Sequence, residues 1–229
     1  DIMNTLPTNK SPGPDRIPNK LYKSLSKVLA PILQQVFAES HALGHFEHDM
    51  SAGFISTLYK KGNRDTPLNY RPITLLNSDY KILMRILAHR MNDAVVQFVS
   101  DCQTGFVPDS FLPENTMLLQ LIMDWIEAEE ANSSTSIDAY FIFLDMEKAF
   151  DRCSWDFLLP ALSALGFDQN FINYVKLCYS HSHPPQRSVT INGYLSDPFP
   201  LQSGVAQGCP LSPLLFLIIT EPLLSLIHI

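Results

Sequence analysis

Apolar positions recur at helical spacing through Leu21, Val28, Leu29, Ile32, Leu33, Val36 and Phe37, which predicts a helix over residues 19–43. Pro31 should kink or split it, and the rigid cluster Ser11-Pro12-Gly13-Pro14-Asp15 forms a turn ahead of it. Residues 52–59 read as a strand, followed by a polar loop over 60–69 and the segment Tyr70-Arg71-Pro72-Ile73. Ile82, Leu83, Ile86, Leu87, Met91 and Val95 mark an amphipathic helix over 78–99. A second is expected near 114–130, with Leu118, Leu121, Ile122, Trp125 and Ile126 facing inward and Trp125 and Trp155 both in the core.

Residues 140–144 are wholly apolar and rich in aromatics, as expected of a strand covered on both faces. Helices near 154–165 and 168–179 are divided by Gly166, and a strand over 187–191 turns at Asn192-Gly193 into a return strand near 195–201. A final helix begins near Pro210. The mixed order predicts an α/β (α+β) layered domain.

Charge changes this picture. The net charge of −7 argues against a nucleic-acid binder when taken as one number. Residues 1–92, however, hold 12 Lys/Arg against 7 Asp/Glu, whereas residues 93–229 hold 4 against 16. A basic half joined to an acidic half suits an enzyme that grips phosphates with one part and metal ions with the other, although solvated faces of differing charge would read the same way. The four cysteines form no CxxC pair, and no signal peptide is visible, so a reducing intracellular setting is expected. The apolar stretch over 211–229 is broken by Pro213, Glu221 and Pro222 and reads as a buried helix rather than a membrane span.

Three segments carry candidate chemistry. In Phe141-Ile142-Phe143-Leu144-Asp145-Met146-Glu147-Lys148-Ala149-Phe150-Asp151 a strand ends in a carboxylate, the placement that lets an acid ligate a hard divalent cation. With a second carboxylate it would hold two ions about 3.5–4 Å apart for nucleotidyl transfer; otherwise Asp145 simply caps the turn. In Ser203-Gly204-Val205-Ala206-Gln207-Gly208-Cys209-Pro210 two glycines let backbone approach a ligand around one amide side chain, or form a tight structural turn. Lys60, Lys61, Arg64 and Arg71 sit on a loop able to hold a triphosphate or a nucleic-acid backbone, or are ordinary surface charge. His41 and His45 have the i,i+4 spacing of metal ligands, with no acid or Cys nearby to complete a site.

Taken in order, these segments resemble the reverse transcriptase of LINE-type (non-LTR) retrotransposons. The resemblance runs from Ser11-Pro12-Gly13-Pro14-Asp15 to Leu214-Leu215-Phe216. It passes through Tyr59-Lys60-Lys61-Gly62, Asn69-Tyr70-Arg71-Pro72-Ile73-Thr74-Leu75-Leu76-Asn77, Leu87-Ala88-His89-Arg90-Met91, Gln103-Thr104-Gly105-Phe106, residues 144–151 with Trp155, and Gln207-Gly208-Cys209-Pro210-Leu211-Ser212-Pro213.

The resemblance implies a right-hand polymerase, with fingers over residues 1–135 and a partial palm over 136–229. Its substrates would be an RNA template, a DNA primer and dNTPs; its cofactor would be Mg2+ as two ions, with Mn2+ able to substitute. Asp145 would be the first catalytic aspartate and, with the carbonyl of Met146, a metal ligand. Phe150 would be the steric gate beneath the sugar, Gln207 and Gly208 would line the nucleotide pocket, and Arg71 with Lys60 or Lys61 would hold the triphosphate. Asp145 should therefore face a groove shared with Gln207 and Arg71.

The chain departs from the family pattern in three respects. It stops before the box of paired aspartates, so a truncated, inactive and poorly soluble piece is expected. An upstream endonuclease and a downstream thumb would lie in the parent polyprotein. Asp109-Ser110 stands where Gly-Arg is usual, and Ser203 and Ala206 stand where arginines are common. Two other readings compete: a non-catalytic RNA-binding remnant of a decayed element, and a metal-dependent hydrolase, for which Asp145 alone qualifies. Within the polymerase class, a group II intron type is disfavoured by the matches at 70–77 and 207–213.

Overall fold

The computed structural model describes all residues except His48, 101–102, 133–139 and 228–229. Two helices open the chain, α1 (Asn19–Ser24) and α2 (Ser26–Leu43). The expected split occurs, but at Leu25 (φ −106°) rather than at Pro31, which lies inside α2. Pro31 and Lys27 are both exposed, so the Lys27 carbonyl that loses its helical donor lies on a side open to water and the helix continues.

Strands β1 (Gly53–Tyr59) and β2 (Tyr70–Leu76) form an antiparallel hairpin, in register from Gly53 opposite Leu76 to Tyr59 opposite Tyr70. The loop between them is tied by its own polar groups. Tyr59 donates to the Gly62 carbonyl at 2.7 Å, Tyr70 donates to that of Arg64 at 2.8 Å, and the Arg64 guanidinium lies 4.8 Å from the centre of the Tyr59 ring. Strand β3 (Gln186–Ile191) runs parallel to the other side of β1, with Gly53 beside Arg187. Asn192-Gly193 turns as expected, both at positive φ (52° and 82°).

The return is two short pieces, β4 (Tyr194–Leu195) and β5 (Phe199–Pro200), rather than one strand over 195–201. Ser196 takes over the ladder there. Its hydroxyl accepts from the Val189 N–H and its own N–H donates to the Val189 carbonyl, both at 2.9 Å, while Pro198 and Pro200 have no N–H to give. The sheet order is β2-β1-β3-β4, with β5 also on β3.

The core lies among α3 (Ser78–Phe98), α5 (Trp155–Ala164), α6 (Gln169–Cys178) and α7 (Ser212–Ile227). Met84, Leu87, Met91, Leu158, Leu162, Leu215 and Ile218 are buried in it. Asp168 caps α6, its carboxylate accepting from the Asn170 and Phe171 N–H groups. Cys153, Cys178 and Cys209 are free and buried; Cys102 lies outside the described residues. No described helix is long and apolar enough to cross a membrane.

Two expectations are corrected. Residues 140–144 do not form a covered strand. They pair with no described strand and stand exposed, Phe143 at 80%. An apolar run becomes a strand only when a neighbour completes its ladder, and the place beside β1 is taken by β3. The second concerns α4 (Pro113–Asn132), which has the expected extent but not the expected orientation, since Leu118, Leu121, Ile122 and Trp125 are exposed. It has no extensive interface with any other described element, so its apolar stripe meets no surface to bury against.

Candidate functional site: a glycine turn between two walls

The acidic turn begins where Lys148 adopts φ +51° and its carbonyl accepts from the Asp151 and Arg152 N–H groups at 2.9 and 3.1 Å. This fold-back brings Phe150 onto the rim of the core. Its ring stacks on Phe216 of α7 (5.3 Å between centroids, 9° between planes) and meets Phe106 edge-on at 6.3 Å. Glu147 and Arg152 form an exposed ion pair at 2.7 Å.

The glycine turn, residues 203–208, is stitched to both of its neighbours. Towards the acidic turn, Gly204 N–H donates to the Cys153 carbonyl and Val205 N–H to that of Phe150, each at 2.8 Å. The Trp155 indole N–H donates to the Gly204 carbonyl, also at 2.8 Å. Towards the sheet, Thr74 N–H donates to the Gln207 carbonyl at 2.7 Å. Among the described residues β2 is an edge strand, so this bond occupies an N–H that no further described strand claims.

Both glycines are needed for this closeness. Gly204 has φ +88°, and a Cβ there would lie 2.9 Å from the Asp151 carbonyl oxygen. Gly208 has φ +111°, and its Cβ would lie 2.8 Å from that of Thr74.

An open cleft of about 420 Å3 results, lined among others by Ile55, Thr74, Asp151, Arg187 and Gln207. Burial raises the Asp151 carboxyl above its ordinary range, against the opposing pull of Lys148. Burial, then the Asp151 charge, pushes the Cys153 thiol up to about 11, so it stays protonated at neutral pH.

The structure therefore gathers Phe150, Gln207 and Gly208 around one turn. It does not gather the rest. Asp145 and Met146 stand exposed on the unpaired run, outside the lining of the cleft. Lys60, Lys61 and Arg71 are exposed on the hairpin, and side-chain alternation puts Arg71 on the face of β2 opposite Pro72 and Thr74, which do line the cleft. His41 packs on Tyr174 (4.4 Å) and His45 on His183 (4.6 Å). Among the described residues no three His, Cys, Asp or Glu side chains converge as a metal site, so the acids gathered here do not fit a two-ion centre by themselves.

Thr74 and Trp155 hold the turn, and neither stood out from the sequence as a contact. The Trp155 signal was a chemical one, because a buried indole N–H needs an acceptor.

A mixed sheet whose hairpin is bonded through its edge to a glycine turn, beside an acidic turn bearing an aromatic ring, is consistent with the hand of a nucleic-acid polymerase. Comparison with known proteins narrows the class. Residues 58–229 match the family described as reverse transcriptase (RNA-dependent DNA polymerase). The transposon TX1 uncharacterized 149 kDa protein of Xenopus laevis is 30% identical over 226 residues, 99% of this chain and 17% of that protein. The probable RNA-directed DNA polymerase from transposon BS of Drosophila melanogaster is 28% identical, over 97% of this chain and 24% of its own length. The RNA-directed DNA polymerase from mobile element jockey of the same fly is 29% identical, over 94% and 23%. The chain belongs to the reverse transcriptase family, and its relatives are proteins of non-LTR retrotransposons. It spans 17–24% of the length of these three.

Proposed function

We propose that the chain supplies the fingers (residues 1–135) and part of the palm (136–229) of an RNA-directed DNA polymerase that extends a DNA primer along an RNA template with dNTPs. The observation that carries this reading is the double stitching of the glycine turn, which fixes Gln207 and Phe150 at set positions in a chain of this family. The Gln207 backbone carbonyl is committed to Thr74, while the residue itself lines the cleft, where its side-chain amide would meet the sugar and base of a nucleotide. Phe150, backed by the Phe216 ring, is a rigid floor against which a ribose 2′-hydroxyl would clash. Arg71 with Lys60 or Lys61 would meet the triphosphate from the exposed hairpin, as guanidinium and ammonium groups do.

Divalent metal ions serve this family, and Mg2+ is the ion proposed here. Asp145 and the Met146 carbonyl would be the chain's share of its ligands, and further carboxylates must come from beyond the described residues. The isolated chain is accordingly proposed to be inactive. An endonuclease and a thumb elsewhere in the full-length protein, and an intracellular ribonucleoprotein setting, complete the proposal.

The test is primer extension on RNA with Mg2+ and four dNTPs, run on the full-length protein and on the isolated chain. Synthesis by the former, lost at least about a thousandfold in Asp145→Asn, is the expected outcome. A silent full-length protein that still binds RNA would establish the non-catalytic remnant instead, a reading favoured by the unassembled surroundings of Asp145 and the basic residues of the first 92.

A further inference from the structure

We propose that Trp155 is a positioning residue for sugar selection, its indole N–H setting the tilt of the glycine turn against the turn that carries Phe150. The inference rests on the reading of Phe150 and Gln207 given above.

Trp155 is the first residue of α5 and is 1% exposed. Its bond to the Gly204 carbonyl is a side-chain contact between segments 49 residues apart in the chain. Two backbone bonds, from Gly204 to Cys153 and from Val205 to Phe150, set the spacing between the turns. The Trp155 bond adds a different constraint. Gly204 sits at φ +88°; its N–H is held by the acidic turn and its carbonyl by the first residue of a helix, so both of its peptide planes are fixed.

The ring is itself held. Tyr179 packs 5.9 Å and His181 5.1 Å from it, and the His181 imidazole reaches the Asp156 carboxylate at 3.2 Å. Phe150 lies five residues before Trp155, and Gln207 three residues after Gly204. With the spacing of the turns set by the two backbone bonds, the angle at which the amide meets the aromatic floor depends on this third bond from the indole N–H. Without it the Gly204 carbonyl is left buried and unpaired, and the turn must rotate to find another donor.

The experiment measures single-nucleotide incorporation from dNTP and from rNTP by the full-length protein, with Phe150→Val as control. If Phe150→Val leaves the preference for dNTP unchanged, the gate reading itself fails, whatever Trp155 does. With that control showing a loss of preference, Trp155→Phe should lower the preference about tenfold and raise the KM for dNTP about tenfold, with kcat changed less than about threefold. β-(3-Benzothienyl)alanine at position 155 keeps the bicyclic shape and lacks the N–H; it should give the same shift and covers the case in which Trp155→Phe does not fold. A benzothienyl protein that retains full preference for dNTP, or that loses kcat equally on both sugars, would overturn the proposal and leave Trp155 a packing residue.

Discussion

The glycine turn and the run over 140–147 are both expected to touch the same nucleotide, yet they are built differently. In the turn, Gly204, Val205 and Gln207 each place a backbone group on a named partner, and two glycines allow the approach. The run that bears Asp145 has no described strand beside it, and its apolar side chains are exposed. Bonds to partners present among the described residues hold the first region. The second has no such partners, and an apolar run without a ladder partner gains neither hydrogen bonds nor burial.

The two tryptophans offer the widest test of this contrast. Trp155→Ala should cost about 3–5 kcal/mol in urea denaturation, through lost packing and an orphaned Gly204 carbonyl. Trp125, 58% exposed on α4, should cost about 0.5 kcal/mol or less on the same substitution. Equal costs would mean that α4 is packed as firmly as α5.

Gly204→Ala comes next, at about 2–3 kcal/mol, since alanine meets both an unfavourable φ of +88° and the Asp151 carbonyl. Gly166, also at positive φ (+83°) but with open space around its Cβ position, isolates the backbone part of that cost at about 1–2 kcal/mol. A thermal melt of the pair separates clash from conformation.

A smaller effect concerns Asp79, whose carboxyl burial raises to about 6, against an ordinary 3.8. The folded state holds this proton more tightly than the unfolded one. Its contribution therefore favours folding below the ordinary value and is lost as pH rises from about 4 to 6. Asp79→Asn should raise stability by about 1–2 kcal/mol at pH 7.5, allowing for residual solvent contact, and by nothing measurable at pH 4. An equal gain at both pH values would remove burial of charge as the cause. Smallest is Asp168→Ala, which removes the cap of α6 and should cost about 1 kcal/mol by the same denaturation.

Legibility in the sequence followed the same divide. Elements whose signal is local were read closely: the 78–99 helix from its period, the 192–193 turn from Asn-Gly, and the first hairpin strand at 52–59. The pairing of Gln207 with Thr74 was not visible, because a backbone bond between residues 133 apart leaves no mark on either side chain. The inward stripe assigned to α4 and the covered strand assigned to 140–144 were inferences about partners, and a pattern of apolar residues specifies that a partner is wanted without specifying where it is. Trp155 was read as core and is core, yet its N–H does more than fill space.

The bond from Thr74 to Gln207 has a mechanical consequence. β1 and β2 with their basic tip form a two-stranded arm, and that arm is fastened at Thr74 to the glycine turn. A displacement of β2 at Thr74 must either carry the residue 207 backbone with it or break that bond.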